Sequence, residues 1–193
     1  MSFNNLKDYQ LILASGSPRR QQLLRDLDID FVVDVRPVDE VYPATLKGAE
    51  ITEFLAKLKS ESFATNCSEK DIVITSDTIV WLADEALGNP KDFKEAENML
   101  LKLSGKEHEV ITSVCLRRGN QLTVFSDTVR VFFKTLTLDE IHYYINTYKP
   151  YDKAGAYGIQ EWIGKIGIDK IEGSYFTVMG FPVHKLYKEL KKI

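Results

Sequence analysis

Ser15, Ser17, Arg19 and Arg20 crowd into a few residues directly after the apolar run Leu11 to Ala14, and hydroxyls and guanidiniums so spaced suit an anion. Leu11 to Ala14 has the length and continuity of a buried strand, whereas Leu23, Leu24 and Leu27 recur at helical spacing, so a strand gives way to a helix across Ser15 to Pro18. Ser17 is a favoured N-cap and Pro18 suits the first helical position. Two cations in the first turn face the positive end of the helix dipole, a mismatch of roughly 0.3–1 kcal/mol each. A phosphate chain would offset both and would also meet the amides of the helix start. The same residues fit a capped helix carrying two solvated arginines, and this stretch alone does not separate the two readings.

Carboxylates are expected near that turn. The alternating stretch Phe31 to Val35 predicts a second strand, closed by Pro37 and followed by Asp39 and Glu40. The β-branched run Asp71 to Ser76 predicts a third strand, with Asp77 and Thr78 at its end. Asp77 also reads as an ordinary turn residue. If both strands neighbour Leu11 to Ala14 in one sheet, Glu40 and Asp77 converge on the Ser15 to Arg20 turn, and two carboxylates facing phosphate suit a hard divalent cation. Between them, Gly48 to Ala64 predicts a long helix with Ile51, Phe54, Leu55, Leu58 and Phe63 on its apolar face and Lys57 and Lys59 off it.

Further along, Asp92 to Leu103 predicts a helix capped by Asp92 and stopped by Gly105. His108 to Arg118 and Gln121 to Phe133 predict a hairpin turning at Gly119-Asn120, which excludes a purely parallel sheet. Leu138 to Tyr148 predicts another helix, ended by Pro150. The glycine-punctuated Asp152 to Gln160 predicts a loop where backbone can approach a ligand, although it carries neither GxGxxG nor GxxxxGK[ST]. Ile166 to Ile171 and Tyr175 to Met179 are expected as late strands, and Pro182 opens a final helix whose Lys185, Lys188, Lys191 and Lys192 read as a solvated face.

Composition narrows the function. The 193-residue chain is long enough for a sizeable core, and with a net charge of -3 it has no general attraction to nucleic acid or anionic membrane. Cys67 and Cys115 fit neither a zinc pattern nor a disulfide scaffold, and His108, His142 and His184 lack metal-ligand spacing. Ser15 and Ser17 lie outside G-x-S-x-G, which disfavours a serine hydrolase. With no signal-peptide core in Met1 to Gln10, no membrane-length apolar run and no linker, the expectation is a single mixed α/β domain over residues 1–193, in the cytoplasm.

Four stretches together resemble the Maf family of nucleotide pyrophosphatases. They are Ala14-Ser15-Gly16-Ser17-Pro18-Arg19-Arg20, Ser76-Asp77-Thr78, Leu103-Ser104-Gly105-Lys106 and Asp152 to Gln160, followed by a Val-Met-Gly-Phe-Pro ending at Pro182. The resemblance implies an elongated mixed central β-sheet flanked by helices, with two lobes around a cleft, related to the inosine triphosphate pyrophosphatases. It implies hydrolysis of a nucleoside triphosphate to monophosphate and pyrophosphate, with Asp77 as proton acceptor and Arg19, Thr78 and Gln160 governing substrate choice. Those three residue types resemble the dTTP/UTP branch rather than the 7-methyl-GTP branch. Ser15, Ser17 and Lys59 are then expected on phosphate oxygens, and Glu40 and Asp77 on Mg²⁺ or Mn²⁺. Gly88-Asn89-Pro90 departs from the family's Gly-Lys-Pro, with Lys91 as a stand-in for the missing cation. The rival is a non-catalytic regulator of septum formation that binds nucleic acid or a division protein. A nucleoside triphosphate is the expected partner, a membrane or nucleic acid is not, and a homodimer is allowed.

Overall fold

The computed structural model describes residues 3–193. Met1 and Ser2, which begin the stretch read above for a signal peptide, lie outside the described residues. The first half of the chain runs β1 (Gln10–Leu13), α1 (Pro18–Arg25), β2 (Val32–Val33), α2 (Ala49–Glu61), β3 (Asp71–Leu82), β4 (Glu85–Leu87) and α3 (Phe93–Leu103). The second runs β5 (Glu107–Arg118), β6 (Gln121–Phe133), α4 (Leu138–Tyr148), α5 (Trp162–Gly167), β7 (Ile168–Glu172), α6 (Tyr175–Val178) and α7 (Val183–Leu190). One mixed sheet in the order β2-β1-β3-β5-β6-β7, with β4 on β3, is flanked by these helices. The α/β class expected above is therefore the observed one.

The parallel pairings of β1 with β2 and with β3 bear out the adjacency on which the site depends. Local signals explain most boundaries. Ser17 accepts from the Arg20 amide with Pro18 next, Asp92 accepts from Glu95, and Thr137 and Glu140 close a capping box. Several boundaries differ from expectation, among them the late strand, which begins at Ile168 because Ile166 and Gly167 close α5. The strand beginning at Asp71 does not end at Ser76: it continues to Leu82, because Val80 to Leu82 pair antiparallel with β4 through a turn at Ala83 and Asp84, both at positive φ. Asp77 therefore lies within a strand rather than at its terminus. Glu40 lies in a loop well past β2, which is only two residues long. Tyr175 to Val178 form a helical turn closed by the Met179 amide on Tyr175 O, because aromatic and β-branched content favours a strand only where a partner strand is available.

The chain divides into two compact units. The first comprises Met1–Asp77, Thr112–Asp127 and Gly180–Ile193, and the second Thr78–Ile111 and Thr128–Met179; β3, β5 and β6 contribute to both. In the first unit Leu13, Leu24, Ile51, Ile72, Ile74 and Leu186 are buried, so the apolar stripes of α1, α2 and α7 close on the sheet. Lys185 is not on a solvated face: its ammonium pairs with Asp127 at 2.7 Å and donates to Ser126 O at 2.6 Å, while Lys188, Lys191 and Lys192 are exposed. Cys67 and Cys115 are both free thiols. No helix among the described residues is long and apolar enough to cross a membrane.

The second unit packs α3, α4 and α5 around Leu100, Val131, Ile141, Tyr144 and Ile163. His108 is buried there at 2 % exposure. Its Nε2 lies 2.8 Å from the Tyr157 hydroxyl, its ring sits edge-on to Phe133, and its Nδ1 is buried without a partner. An imidazolium donates from both nitrogens, so the second proton would have no acceptor. Burial accordingly pushes His108 down from 6.5 to about 4. The unfolded chain then binds the extra proton first, so the stabilisation is complete above pH 6.5 and is lost as pH falls toward 4. Urea unfolding over that range should show stability falling with acid, by on the order of 3 kcal/mol in all from this group. His108→Gln, which does not titrate, should flatten the slope; an unchanged slope would clear His108 of the effect.

Candidate active site

Most of the expected phosphate and acid residues gather in the first unit, at the carboxyl end of β1. That strand stops at Leu13 because Ser15, Gly16 and Ser17 turn the chain into α1, and the turn is tied by side chains. Ser15 Oγ accepts from the Ser17 amide at 3.3 Å, and Gln21 Nε2 donates to Ser15 O at 3.3 Å. Ser15 is buried, whereas Ser17 and Arg19 are half-buried.

Arg20 is not one of two solvated arginines on a capped helix. Its Nε donates to Gly180 O at 2.9 Å and its Nη1 to Ser76 O at 3.0 Å, with Ser15 Oγ at 3.4 Å from the same nitrogen. A single guanidinium therefore joins the turn to β3 and to the segment preceding α7. No local signal separates Arg20 from Arg19, since the Gly180 carbonyl it meets is 160 residues away in sequence.

Lys59, placed off the apolar stripe of α2, reaches Asp77 Oδ1 at 2.6 Å and Glu40 Oε1 at 3.0 Å. The Asp77 side chain is 9 % exposed and that of Glu40 52 %, so one carboxylate lies inside the fold and the other at its rim. Burial pushes the Asp77 carboxyl above its ordinary range, against the pull of Lys59 and Arg20. A carboxylate held this way is a better proton acceptor than a solvated one. No group of three or more His, Cys, Asp or Glu side chains that could hold a metal ion occurs among the described residues. Glu40 and Asp77 are thus a pair gathered on one ammonium.

In the second unit, Thr78 follows Asp77 on β3 and is half-buried. Asn89 and Lys91 lie on exposed chain ahead of α3, and the Lys91 amide donates to Glu95. Gly88 O accepts from the Gly155 amide at 3.0 Å, which joins this loop to the glycine-punctuated one. Gly155 has φ +67° and a Cβ there would fall 2.7 Å from Val80 Cγ2, so that loop needs glycine at this position. Gln160 lies past it, half-buried, and its amide oxygen is buried without a hydrogen-bond partner. Sequence reasoning missed Tyr144 and Glu161 beside Gln160, which carried no motif of their own, and gave Lys153 no role although it lies within the Asp152 to Gln160 stretch.

A mixed α/β protein with hydroxyls, guanidiniums and a buried acid–lysine pair beside one strand-to-helix turn is the class that these features define. The chain belongs to the Maf family: the model described as Maf-like protein matches residues 10–193. It is 57 % identical over 188 residues to a dTTP/UTP pyrophosphatase of Christiangramia forsetii, covering 97 % of this chain and 96 % of that protein. It is 48 % identical over 190 residues to a dTTP/UTP pyrophosphatase of Bacteroides fragilis, covering 98 % of each. Among solved structures, the Staphylococcus aureus Ham1 protein is a distant likeness, with a TM-score of 0.48 and 19 % identity over 64 % of this chain and 71 % of that one.

Proposed function

We propose that this protein is a nucleoside triphosphate pyrophosphatase that hydrolyses dTTP and UTP to the monophosphate and pyrophosphate. The observation that carries the reading is the gathering of Glu40, Lys59 and Asp77 on one ion-pair network in the unit that also holds the Ser15 to Arg20 turn. Near-full-length relatives named dTTP/UTP pyrophosphatase support the choice of substrate.

Asp77 takes the proton of the attacking water, a role suited to a buried carboxylate whose pKa is raised. Ser15, Ser17 and Arg19 bind phosphate oxygens together with the helix-start amides. Attack falls on the α-phosphorus, and no covalent enzyme intermediate is required. Lys59 exchanges its carboxylate partners for phosphate oxygens and stabilises charge on the departing pyrophosphate. Arg19, Thr78 and Gln160 set substrate choice.

Glu40 Oε1 and Asp77 Oδ1 both come within 3.0 Å of Lys59 Nζ, so their oxygens can share one cation, and a pair of carboxylates plus triphosphate oxygens is the hard donor set that Mg²⁺ or Mn²⁺ takes. Such an ion, when bound, neutralises the triphosphate and polarises its phosphorus. Glu40 and Asp77 are the residues that would hold it.

Pyrophosphate release measured across the common nucleoside triphosphates and 7-methyl-GTP, with and without Mg²⁺ or Mn²⁺, tests the proposal. UTP and dTTP should be turned over fastest and only with metal. Turnover of 7-methyl-GTP alone would move the protein to the other branch, and silence on every substrate would remove the activity.

A further inference from the structure

Gln160 is surrounded by a polar cluster with more order than a surface loop requires. The Glu161 amide donates to Gly158 O at 3.0 Å, and the Gly158 amide donates to the Tyr144 hydroxyl at 3.0 Å, so both ends of the turn that carries Gln160 are tied. The Tyr144 hydroxyl in turn donates to Glu161 Oε2, and Glu161 Oε1 pairs with Lys153 Nζ at 3.1 Å. Asp152 completes the network at 2.6 Å from the same ammonium.

These groups are withdrawn from water. The Lys153 side chain is 8 % exposed and that of Glu161 18 %, and Tyr144 is fully buried beneath the turn, stacked on Tyr148. Burial and the neighbouring Glu161 carboxylate push the Tyr144 hydroxyl up, so it stays a donor at any physiological pH. Gly158 is where they meet: a Cβ there would stand 3.0 Å from Gln160 Nε2, Glu161 Cδ and Lys153 Cε. With Nε2 packed against Gly158, the other end of the Gln160 amide is the buried oxygen that has no partner. A buried acceptor without a donor is costly, and a ligand N–H is what would satisfy it.

We propose that Tyr144, Glu161 and Lys153 are positioning residues that hold the Gln160 amide oxygen ready to accept the N3–H of uracil or thymine. The inference rests on the pyrimidine-nucleotide reading above. Uracil and thymine carry a hydrogen on N3, whereas cytosine presents a lone pair there, which would face the Gln160 oxygen acceptor to acceptor. The clamped turn keeps the Gln160 side chain on Gly158 with its oxygen as the unpartnered end, so the network presents an acceptor and favours a base that brings a donor.

The test compares UTP and CTP in steady-state kinetics for wild type, Tyr144→Phe, Glu161→Gln and Gln160→Ala. Glu161→Gln keeps the shape and removes the anion that holds Tyr144 and Lys153, and because its side chain is 18 % exposed where Tyr144 is fully buried, it is the variant that folds if Tyr144→Phe does not. For Glu161→Gln, KM for UTP should rise about tenfold with kcat within about twofold and KM for CTP unchanged, so that the UTP preference in kcat/KM falls about tenfold. Equal losses on both nucleotides, a change in kcat alone, or unchanged kinetics would each overturn the positioning role. Loss of the preference in Gln160→Ala but not in the other two would also overturn it, while leaving base reading by Gln160 standing. If Gln160→Ala keeps the preference, base reading by Gln160 itself fails.

Discussion

Asp77→Asn should lower pyrophosphate release from UTP by about a thousandfold while leaving the fold in place. The substitution keeps the volume and planar shape of the side chain and removes only its ability to carry the charge and take a proton. The Asp77 side chain is 9 % exposed, so the charge it gives up was expensive to bury, and burial is what pushes its pKa up. Lys59 keeps Glu40 at 3.0 Å as a counter-charge, so no buried ammonium is stranded. Stability should therefore change little or rise slightly, and the entire loss should appear in turnover. Pyrophosphate release beside thermal unfolding separates the two; near-normal rates in a well-folded Asp77→Asn protein would take Asp77 out of the reaction.

Arg20→Ala should cost both stability and activity, and Arg20→Lys should restore little of either. Its guanidinium donates to the carbonyls of Gly180 and Ser76 at 2.9 and 3.0 Å from different nitrogens and also reaches Ser15 Oγ. A bond from a charged donor contributes roughly 1.5–3 kcal/mol, and deletion also leaves the carbonyl acceptors short of a donor, so a loss of about 2–4 kcal/mol in urea unfolding is expected. A lysine ammonium lacks the planar fork that serves acceptors in two directions at once. Since the same contacts hold the Ser15 turn against the strand bearing Asp77, kcat/KM should fall as well, by about a hundredfold. Arg19→Ala should instead alter substrate preference with a smaller change in stability. Matching stability losses for Arg19→Ala and Arg20→Ala would remove the division of labour between the two arginines.

Local patterning already contained much of this protein. The period change at Ser15 to Pro18, the caps at Ser17 and Asp92, the hairpin at Gly119-Asn120 and the helix from Leu138 to Tyr148 are short-range effects of sterics, capping and amphipathicity, and each is observed. Glu40, Lys59 and Asp77 were each legible as chemistry-bearing residues from their type and from the elements beside them. Their meeting on one ammonium was not, because it depends on β2 and β3 pairing with β1, which no local spacing encodes. Asp77 illustrates the limit: a polar Asp-Thr step looks like the end of a strand, yet pairing with β4 carries that strand on to Leu82.

Sequence by itself determined most of the secondary elements, the mixed α/β class and the roster of residues able to bind phosphate and move a proton, since propensity, capping and periodicity act over a few residues. Tertiary structure alone decided which arginine is a structural tie, which lysine faces two acids and which buried amide oxygen is left waiting for a donor. Those outcomes come from desolvation and from hydrogen bonds between residues far apart in the chain, such as Arg20 with Gly180 and Tyr144 with Glu161, and they exist only once the sheet has brought its elements together.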